Sequence, residues 1–534
     1  MNLKFAKSEP ILFYSVLILN MLPVLLFRFF PTMDGAAHLY NSNIINELAF
    51  NAGSKMSAYF VFNDVIVPNW LGHFVLAFFN LLLPSFLAEK ILLVSYLFLL
   101  PYSFRKLTSL YSNVFLSYLI FPFCYTSLFY LGFYNLSISF ILLFASIFYW
   151  KKNEMEWNFN KIIILFLLIS LTYFAHIFIY AILLFTLFLM LSQSAFRAFL
   201  GKKTTFSTVF KQYWQQYFIL LSAALPTLIL MFLFVKNVHF ASEEKRITNS
   251  ELLRWIKDVR PLIALMGEEV RFTEIYYHLL IALSSIVLFL DIQKKRGKDV
   301  KKSLFFHFSN TISLAKNIFL IVGIIVLTLY FVVPDSASAG MMSERLCLVF
   351  FIYMVLWLSL QTFPNWLCQF SIFIVLIVNF GLLARYIKAT KAYNSEASSI
   401  YEAANYIAPY SVVLPLNNSE NWLDGHFSNY VGTDKPLIIL ENYEANTAWF
   451  PIKWNEKELP NFNLNGSNFE LPTFVQTNST NKNNSQIIDY VLIRGTENKI
   501  TAVQIEELSK FYDEIFRSKN GFVRLYKARK NKGS

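Results

Sequence analysis

The sequence predicts an all-α polytopic membrane bundle followed by a small soluble α/β domain. Composition is the first observation: 56% of the residues are hydrophobic, only 15% are charged, and the mean hydropathy is +0.46. So little charge suits lipid better than water as the surrounding solvent. The apolar residues also cluster into runs of membrane-spanning length, and the composition changes to Asn, Ser, Thr and Pro after Arg385.

The apolar runs define the predicted spans. A spanning helix needs about 20 mainly apolar residues. On this criterion we predict about eleven spans, at 11–30, 86–104, 112–128, 134–150, 161–175, 177–192, 216–235, 276–292, 315–333, 346–362 and 366–386. The run 69–84 is predicted to be an interfacial or re-entrant helix. The transmembrane domain is therefore 1–388, with a first outer loop at 31–85, and the soluble domain is 389–534.

The net charge of +12 comes largely from short loops. Lys and Arg in short loops favour the cytoplasmic side of a membrane. The basic segments are Lys4/Lys7, Arg105/Lys106, Lys151/Lys152/Lys161, Arg197/Lys202/Lys203/Lys211 and Lys294 to Lys302 with Lys316. We therefore predict a multi-pass protein of the cell (inner) membrane. If all of these segments are cytoplasmic, the N-terminus is cytoplasmic and the C-terminal domain is extracytoplasmic. The basic excess then indicates the orientation of the chain in the membrane, and we expect no nucleic-acid partner.

The C-terminal domain has short apolar runs typical of buried strands, at 411–416, 437–440, 489–493 and 521–526. An amphipathic helix is predicted over 503–516, and alternation of strands with helices favours a small α/β unit. The segment Gln476–Ser485 has little apolar surface to bury and is predicted to be a mobile loop. Cys124, Cys347 and Cys368 all lie in apolar runs, so we expect packing roles for them.

The first outer loop carries the main chemical candidate. Asp34 and His38 follow the first span and are four residues apart, so they share one face if the segment is helical. A carboxylate beside an imidazole can take a proton from a hydroxyl or share a divalent cation. In the alternative interpretation, Asp34 caps a helix that begins at Gly35, and His38 is an ordinary interfacial residue. Tyr40 in the same segment is a candidate substrate contact.

Other polar groups fall at the ends of predicted spans. Arg345 opens the tenth span, where a guanidinium can hold a lipid phosphate through paired donors. It could also pair with Glu344 or Asp335, or extend its charged end to the interface. Asn135 is a candidate donor to a sugar or phosphate. His176, at the turn of a predicted helical hairpin on the outer side, and His73 are candidate ligand contacts. Histidines in membrane proteins are also frequent hydrogen-bond partners between helices.

These residues resemble the GT-C superfamily, the multi-span glycosyltransferases that use polyprenyl-phosphate sugars. Those enzymes carry an acidic residue just after the first helix and a soluble C-terminal domain, and the architecture predicted here resembles theirs. The matching positions are Asp34 with His38, the outer turn Gly132-Phe133-x-Asn135, His176, and Arg345. The sequence has no Trp-Trp-Asp triplet, and the first loop has Asp-Gly in place of paired acids. Subfamily and acceptor therefore stay open.

The resemblance implies a membrane glycosyltransferase that moves a sugar from a polyprenyl-phosphate donor to a hydroxyl of a glycan, lipid or protein acceptor, with inversion, on the extracytoplasmic face. Asp34 and His38 would be catalytic. The substrate-binding residues would be Arg345, Asn135, His176, Tyr40 and His73. No cofactor is required, no metal ligands are assigned, and a divalent metal is compatible with the chemistry. The alternatives are a transporter or flippase for a lipid-linked glycan, and a noncatalytic membrane scaffold with an outer binding domain.

Overall fold

A computed structural model describes residues 3–51, 53–111, 114–154, 156–200, 206–237, 245–265, 267–296, 315–337, 340–455, 488–496 and 502–529. Its α-helices are α1 (Leu3–Leu19), α2 (Leu22–Leu25), α3 (Gly35–Phe50), α4 (Met56–Tyr59), α5 (Leu71–Asn80), α6 (Ser85–Thr108), α7 (Ser127–Tyr130), α8 (Tyr134–Asn153), α9 (Phe159–Ala175), α10 (Ile177–Leu200), α11 (Phe206–Asn237), α12 (Asn249–Lys257), α13 (Glu269–Arg296), α14 (Ile318–Val332), α15 (Met342–Ser359), α16 (Asn365–Ala403) and α17 (Ala502–Ser509).

The strands are β1 (Phe60–Phe62), β2 (Val412–Asn417), β3 (Ile438–Ile439), β4 (Ile452–Trp454), β5 (Tyr490–Arg494), β6 (Tyr512–Arg517) and β7 (Val523–Ala528). Short 3₁₀ helices lie at Phe115–Cys124, Arg260–Leu262, Ala315–Asn317, Ala404–Tyr406, Trp422–Asp424, Phe427–Gly432 and Glu444–Asn446. The segment Gln476–Ser485, predicted to be a mobile loop, lies outside the described residues.

In the described part of the chain, eight helices are long and apolar enough to cross a membrane, which indicates a multi-pass membrane protein. They are Ser8–Leu25, Ser85–Thr108, Tyr134–Asn153, Ile177–Phe199, Tyr213–Asn237, Glu269–Leu290, Met342–Ser359 and Asn365–Tyr406. The prediction of eleven spans is wrong by this criterion. The spans predicted at 112–128, 161–175 and 315–333 correspond to the shorter apolar helices Phe115–Tyr130, Phe159–Ala175 and Ile318–Val332.

Local features account for the lengths of the Phe115–Tyr130 segment, of α9 and of α5. Pro122 lies inside the 115–124 segment, where it removes a backbone donor, and the segment forms a 3₁₀ helix. Helix α9 stops at Ala175 because His176 adopts an extended conformation, and α10 begins at Ile177, as predicted for the helical pair around His176. The run 69–84 yields only the ten-residue α5, which at about 1.5 Å per residue cannot span roughly 30 Å of hydrocarbon.

The chain divides into two compact units. The first comprises Met1–Leu22, Ser95–Phe129 and Asn135–Tyr386. Its most enclosed long helix is α15, in which 89% of the residues are buried. A helix that is apolar around its whole circumference occupies the interior of a bundle, and α15 packs most extensively against α14. Residues near the N-terminus of α15 are therefore held in a densely packed part of this unit.

The second unit comprises Pro23–Val94, Tyr130–Tyr134 and Ile387–Ser534. Its five-stranded sheet has the order β3-β2-β5-β7-β6, with β3, β2 and β5 parallel and the other two pairings antiparallel. The four predicted strands are present. The helix predicted over 503–516 is wrong at its C-terminal half: α17 ends at Ser509, and residues 512–517 form the edge strand β6 with a bulge at Glu514/Phe516.

The first loop and the C-terminal segment build this second unit together. Strand β1 pairs antiparallel with β4, placing Phe60 opposite Trp454. Buried Tyr40 donates its hydroxyl proton to the Leu437 carbonyl oxygen over 2.6 Å and accepts from the Ile439 N–H over 3.0 Å. Helix α3 is thereby fastened to β3. Residues 411–454 are thus brought next to the first loop, which positions the candidate site.

Candidate functional site

Asp34 lies at the N-cap position of α3, but its side chain makes no capping hydrogen bond in the described structure. The side chain is buried and directed elsewhere. Its Oδ1 lies 3.7 Å from Nε2 of His426, and it accepts a hydrogen bond from the Tyr443 hydroxyl. The interpretation of the Asp34 side chain as a helix cap is therefore wrong. The side chain contacts His426 and Tyr443 instead.

His426 is oriented toward Asp34 by a second carboxylate. Its Nδ1 is hydrogen-bonded to Glu441, and its ring stacks on Tyr443 with a centroid distance of 4.3 Å. Glu441 also accepts hydrogen bonds from the Ser428 hydroxyl and from Asn429 Nδ2, the latter over 3.1 Å. The glutamate is thus fixed by several donors. The imidazole lies between two carboxylates, with one nitrogen facing each.

Burial decides how the charges in this arrangement behave. Desolvation raises the pKa of Asp34 above its ordinary value, against the attraction of His426 and then of His38. Burial alone would lower the pKa of His426, yet Glu441 and Asp34 raise it. Asp34 is therefore more basic than a surface aspartate, and His426 supplies positive charge beside it. A buried carboxyl with a raised pKa suits proton transfer near neutral pH.

Next to this pair, Glu444 bridges two histidines. His38 Nδ1 lies 2.6 Å from Glu444 Oε1, and His73 Nε2 lies 2.7 Å from Oε2. The two imidazole rings meet edge to face at 4.8 Å. All three side chains are buried. The cluster draws its members from α3, from α5 and from the 3₁₀ turn Glu444–Asn446.

The remaining ring nitrogens of the two histidines are also hydrogen-bonded. His38 Nε2 lies 2.8 Å from the Gly132 carbonyl oxygen, and His73 Nδ1 lies 3.1 Å from that of Asn69. Burial would lower the pKa of His38, but the charge and hydrogen bond of Glu444 raise it to about 9. Burial opposes ionisation of Glu444, and the two imidazoles hold its pKa below the usual value. We therefore infer that the cluster is charged, with a carboxylate on Glu444 and an imidazolium on His38.

The turn at Gly132 supports both Asp34 and His38. Gly132 has a φ of +90°, in the left-handed region that favours glycine. The Asp34 N–H donates to the Leu131 carbonyl oxygen over 3.1 Å, and the Met33 N–H donates to that of Tyr130 over 3.0 Å. The Gly132 turn singled out in the sequence is thus a backbone support for the start of α3.

Three other predicted site residues, Arg345, His176 and Asn135, lie in the first unit. Arg345 is buried in the first turn of α15, and its charge acts on His176. Glu344 accepts a hydrogen bond from Ser127 and lies 3.7 Å from Arg260, so its carboxylate is already engaged by those residues. Asn135 is buried near the start of α8. Their substrate-binding roles stay predictions.

The segments Asp424–His426 and Tyr443–Phe450 hold polar and aromatic groups that suit a sugar-binding surface, so the sequence predicts substrate contacts there. It gives no individual role to His426, Tyr443 or Glu444, and it does not indicate Glu441. Glu444 lies 406 residues from His38 along the chain. Only the pairing of the first loop with the C-terminal segment brings them together.

No protein family model matches this chain, and no curated protein matches it. The site offers one buried carboxylate beside a histidine, and a separate group of two histidines and a glutamate. Each group takes one member from the start of α3, where Asp34 is the N-cap residue and His38 lies in the first turn.

Proposed function

We propose that this protein is a membrane glycosyltransferase of the GT-C type that transfers a sugar from a polyprenyl-phosphate donor to an acceptor hydroxyl. The observation that carries the proposal is the environment of Asp34. This carboxylate lies in the segment that follows the first candidate membrane helix, Ser8–Leu25, is buried without capping α3, and faces His426. A buried carboxylate positioned by a histidine and a tyrosine, next to the membrane, suits activation of a hydroxyl for attack on a lipid-linked substrate.

In the proposed step, the acceptor oxygen forms a bond to the anomeric carbon while the bond from that carbon to the donor phosphate breaks. The acceptor proton passes to Asp34, and the electron pair of the broken bond leaves with the polyprenyl phosphate. Attack opposite to the leaving group inverts the anomeric configuration. Because phosphate is a good leaving group, activation of the acceptor is the main demand on the protein.

The neighbouring residues divide between support and binding. His426, held by Glu441, would keep Asp34 oriented and balance its charge. Both ring nitrogens of His38 are engaged within the fold, so we assign it a positioning role beside Asp34 in place of proton exchange with substrate. Arg345 keeps the role implied by the resemblance, which is to hold the donor phosphate through its planar guanidinium.

We further propose that the acceptor side is extracytoplasmic. The basic loops would face the cytoplasm, in keeping with the preference of Lys and Arg for that side. Asp34 and the C-terminal segment would then lie on the outer side of the cell membrane. Donor sugars carried on polyprenyl phosphate are anchored in the membrane by their lipid, which suits a reactive carboxylate next to a membrane helix.

The test is Asp34→Asn, which keeps the size of the side chain and removes the base. Membranes containing the full chain would be supplied with a panel of polyprenyl-phosphate hexoses and pentoses, and release of polyprenyl phosphate would be measured. We expect a rate fall on the order of 10²–10⁴ with unchanged amounts of folded protein. The matched control is Asp64→Asn, an exposed aspartate of the same loop that pairs with Lys453. Equal activity of the two variants would contradict the proposal.

The same assay separates the alternatives. A transporter or flippase would move the lipid-linked sugar across the membrane without cleaving the bond between sugar and phosphate. A noncatalytic scaffold would do neither, and its Asp34→Asn variant would behave like the wild-type chain. Release of polyprenyl phosphate that depends on Asp34 is expected only for the transferase.

A further inference from the structure

We propose that His38, His73 and Glu444 form a binding site for a divalent metal ion such as Zn²⁺. The ligand atoms would be His38 Nδ1, His73 Nε2 and a carboxylate oxygen of Glu444, which lie within 4.8 Å of one another. Two imidazoles with one carboxylate are a donor set that binds Zn²⁺ and leaves one tetrahedral position for water or another oxygen ligand. This inference stands independently of the proposed glycosyl transfer.

Orientation of the histidines is the first argument. The nitrogen of each ring that faces away from Glu444 lies within hydrogen-bonding distance of a backbone carbonyl, that of Gly132 for His38 and that of Asn69 for His73. A carbonyl can only accept, so each outer nitrogen carries a proton. In a neutral ring, the inner nitrogen then offers a lone pair. Such hydrogen bonds to the outer nitrogen are the usual support of metal-binding histidines.

The backbone at both supporting carbonyls is unusual. Gly132 has a φ of +90° and Asn69 a φ of +69°, so both are in the left-handed region. Asn69 is one of few non-glycine residues of the described chain in that region. Glycine adopts this conformation freely, but for Asn69, which carries a Cβ, it is costly and is retained where the surroundings fix it, often at functional sites. Here, both left-handed residues direct a carbonyl oxygen toward a candidate ligand.

Charge supplies the third argument. If only the outer nitrogens carry protons, the lone pairs of His38 Nδ1 and His73 Nε2 point at the negatively charged carboxylate of Glu444. These groups repel one another unless a positive charge lies between them. Protons or a metal ion can supply it, and a metal binds by displacing those protons. His73 and Glu444 are fully enclosed, and the Phe450 ring packs 5.7 Å from His73 and 6.2 Å from His38. The low-polarity wall strengthens attraction for a cation at this place.

Metal binding needs adjustment of the three side chains. Neighbouring ligand atoms around a tetrahedral zinc ion are roughly 3.3 Å apart, given bond lengths of about 2.0 Å. The two nitrogen-to-oxygen distances are now 2.6 and 2.7 Å and involve different oxygens of Glu444, while the ligand atoms lie within 4.8 Å of one another. Glu444 would therefore withdraw by less than about 1 Å, and the most widely separated ligand atoms would approach by up to about 1.5 Å through rotation of the side chains.

The experiment uses the full-length chain purified in detergent without a histidine tag. After chelation, the protein is titrated with Co²⁺, whose tetrahedral complexes absorb visible light, and then with Zn²⁺, with bound metal measured after gel filtration. We expect about one Zn²⁺ per chain. His73→Gln and Glu444→Gln should weaken binding at least tenfold, by analogy with losses of about 10–100-fold for mere supporting residues. His278→Gln, which alters a histidine of α13, is the matched control and should bind normally.

Two results would overturn the proposal. One is a wild-type chain that retains no more Zn²⁺ than the His73→Gln variant, which would mean that protons alone neutralise the cluster. The other is a different set of metal ligands in the Zn²⁺-loaded wild-type chain. X-ray absorption of that chain should show two imidazole nitrogens and a carboxylate oxygen, and this measurement decides the matter even if the variants fail to fold. Neither readout depends on enzymatic activity.

Discussion

A Cβ atom on Gly132 would lie 2.7 Å from the Cβ of Asp34 and 2.8 Å from its backbone nitrogen. The turn and the start of α3 approach so closely that only glycine fits between them. The Gly132 carbonyl oxygen also receives the hydrogen bond from His38. One backbone position therefore fixes both the candidate base and the neighbouring histidine.

Gly132→Ala should consequently reduce activity more than it reduces stability. The left-handed backbone costs about 1–2 kcal/mol for a residue with a Cβ, and the clash must also displace Asp34. A shift of about 1 Å at a reacting group can lower the rate roughly 10²-fold. Sugar transfer and thermal unfolding in detergent would be measured together.

The matched control is Gly267→Ala. Gly267 has a φ of +94° but no atom within 4 Å of an added Cβ. It therefore reports the cost of backbone strain alone. If both variants lose stability alike and both keep full activity, Gly132 does not position Asp34.

The position of Asp34 and the existence of the helices could be predicted because they depend on local signals. Apolar runs mark helices, and the carboxylate follows the first run directly. The partners of Asp34 could not be predicted, since His426 is 392 positions away by residue number and is brought near by strand pairing. No local pattern of spacing encodes such a contact.

Two local predictions were wrong for reasons that are equally physical. In 503–516, apolar residues recur at helical spacing, but pairing with β7 takes residues 512–517 into the sheet. Tertiary pairing overrides intrinsic preference in such short segments. In 112–128, hydropathy indicates a span without showing that Pro122 would favour a shorter 3₁₀ helix.

Arg345→Lys tests the predicted phosphate contact in the first unit. The substitution keeps a positive charge but removes the planar pair of donors. We expect the KM for the polyprenyl-phosphate donor to rise roughly tenfold, the cost of one charge-assisted hydrogen bond, with a smaller change in kcat. The comparison is Arg254→Lys at an exposed arginine of α12. An unchanged KM in the Arg345 variant would show that this guanidinium does not hold the donor.

The orientation proposed above predicts opposite labelling of two exposed positions. In a chain whose buried cysteines Cys124, Cys347 and Cys368 are replaced by alanine, a cysteine is placed either at Glu156 or at Lys510. An impermeant maleimide added to intact cells should label only the second, because residues near Lys151 and Lys161 are predicted to be cytoplasmic. Labelling of the Glu156→Cys chain alone would reverse the orientation.

This orientation also constrains the number of crossings. An N-terminus inside and a C-terminal segment outside require an odd number of membrane crossings. Within the part of the chain that the structure describes, an odd number of the shorter apolar helices would then cross together with the eight long ones. Helix α9, with 17 residues, has a length of about 25 Å and is the nearest of them to a full span.

The ion pair between Arg494 and Asp424 predicts how the second unit responds to loss of a buried charge. Arg494 Nη1 lies 2.7 Å from Asp424 Oδ1, and the two side chains are 2% and 1% exposed. Ser419 donates to the other carboxylate oxygen over 2.6 Å. Both charges were removed from water on folding, so each depends on the other for compensation.

Arg494→Met should therefore destabilise the second unit by about 3–5 kcal/mol, because it leaves the Asp424 carboxylate buried with only neutral donors. The double variant Arg494→Met/Asp424→Leu should recover part of this loss, since it removes the uncompensated charge as well. The exposed pair of Arg529 and Asp513, which are 50% and 61% exposed, provides the control. Arg529→Met should cost at most about 1 kcal/mol. Denaturant midpoints of the full chain in detergent measure the stability of all three variants. If the double variant is less stable than Arg494→Met, then side-chain packing, and not charge compensation, holds strand β5 in place.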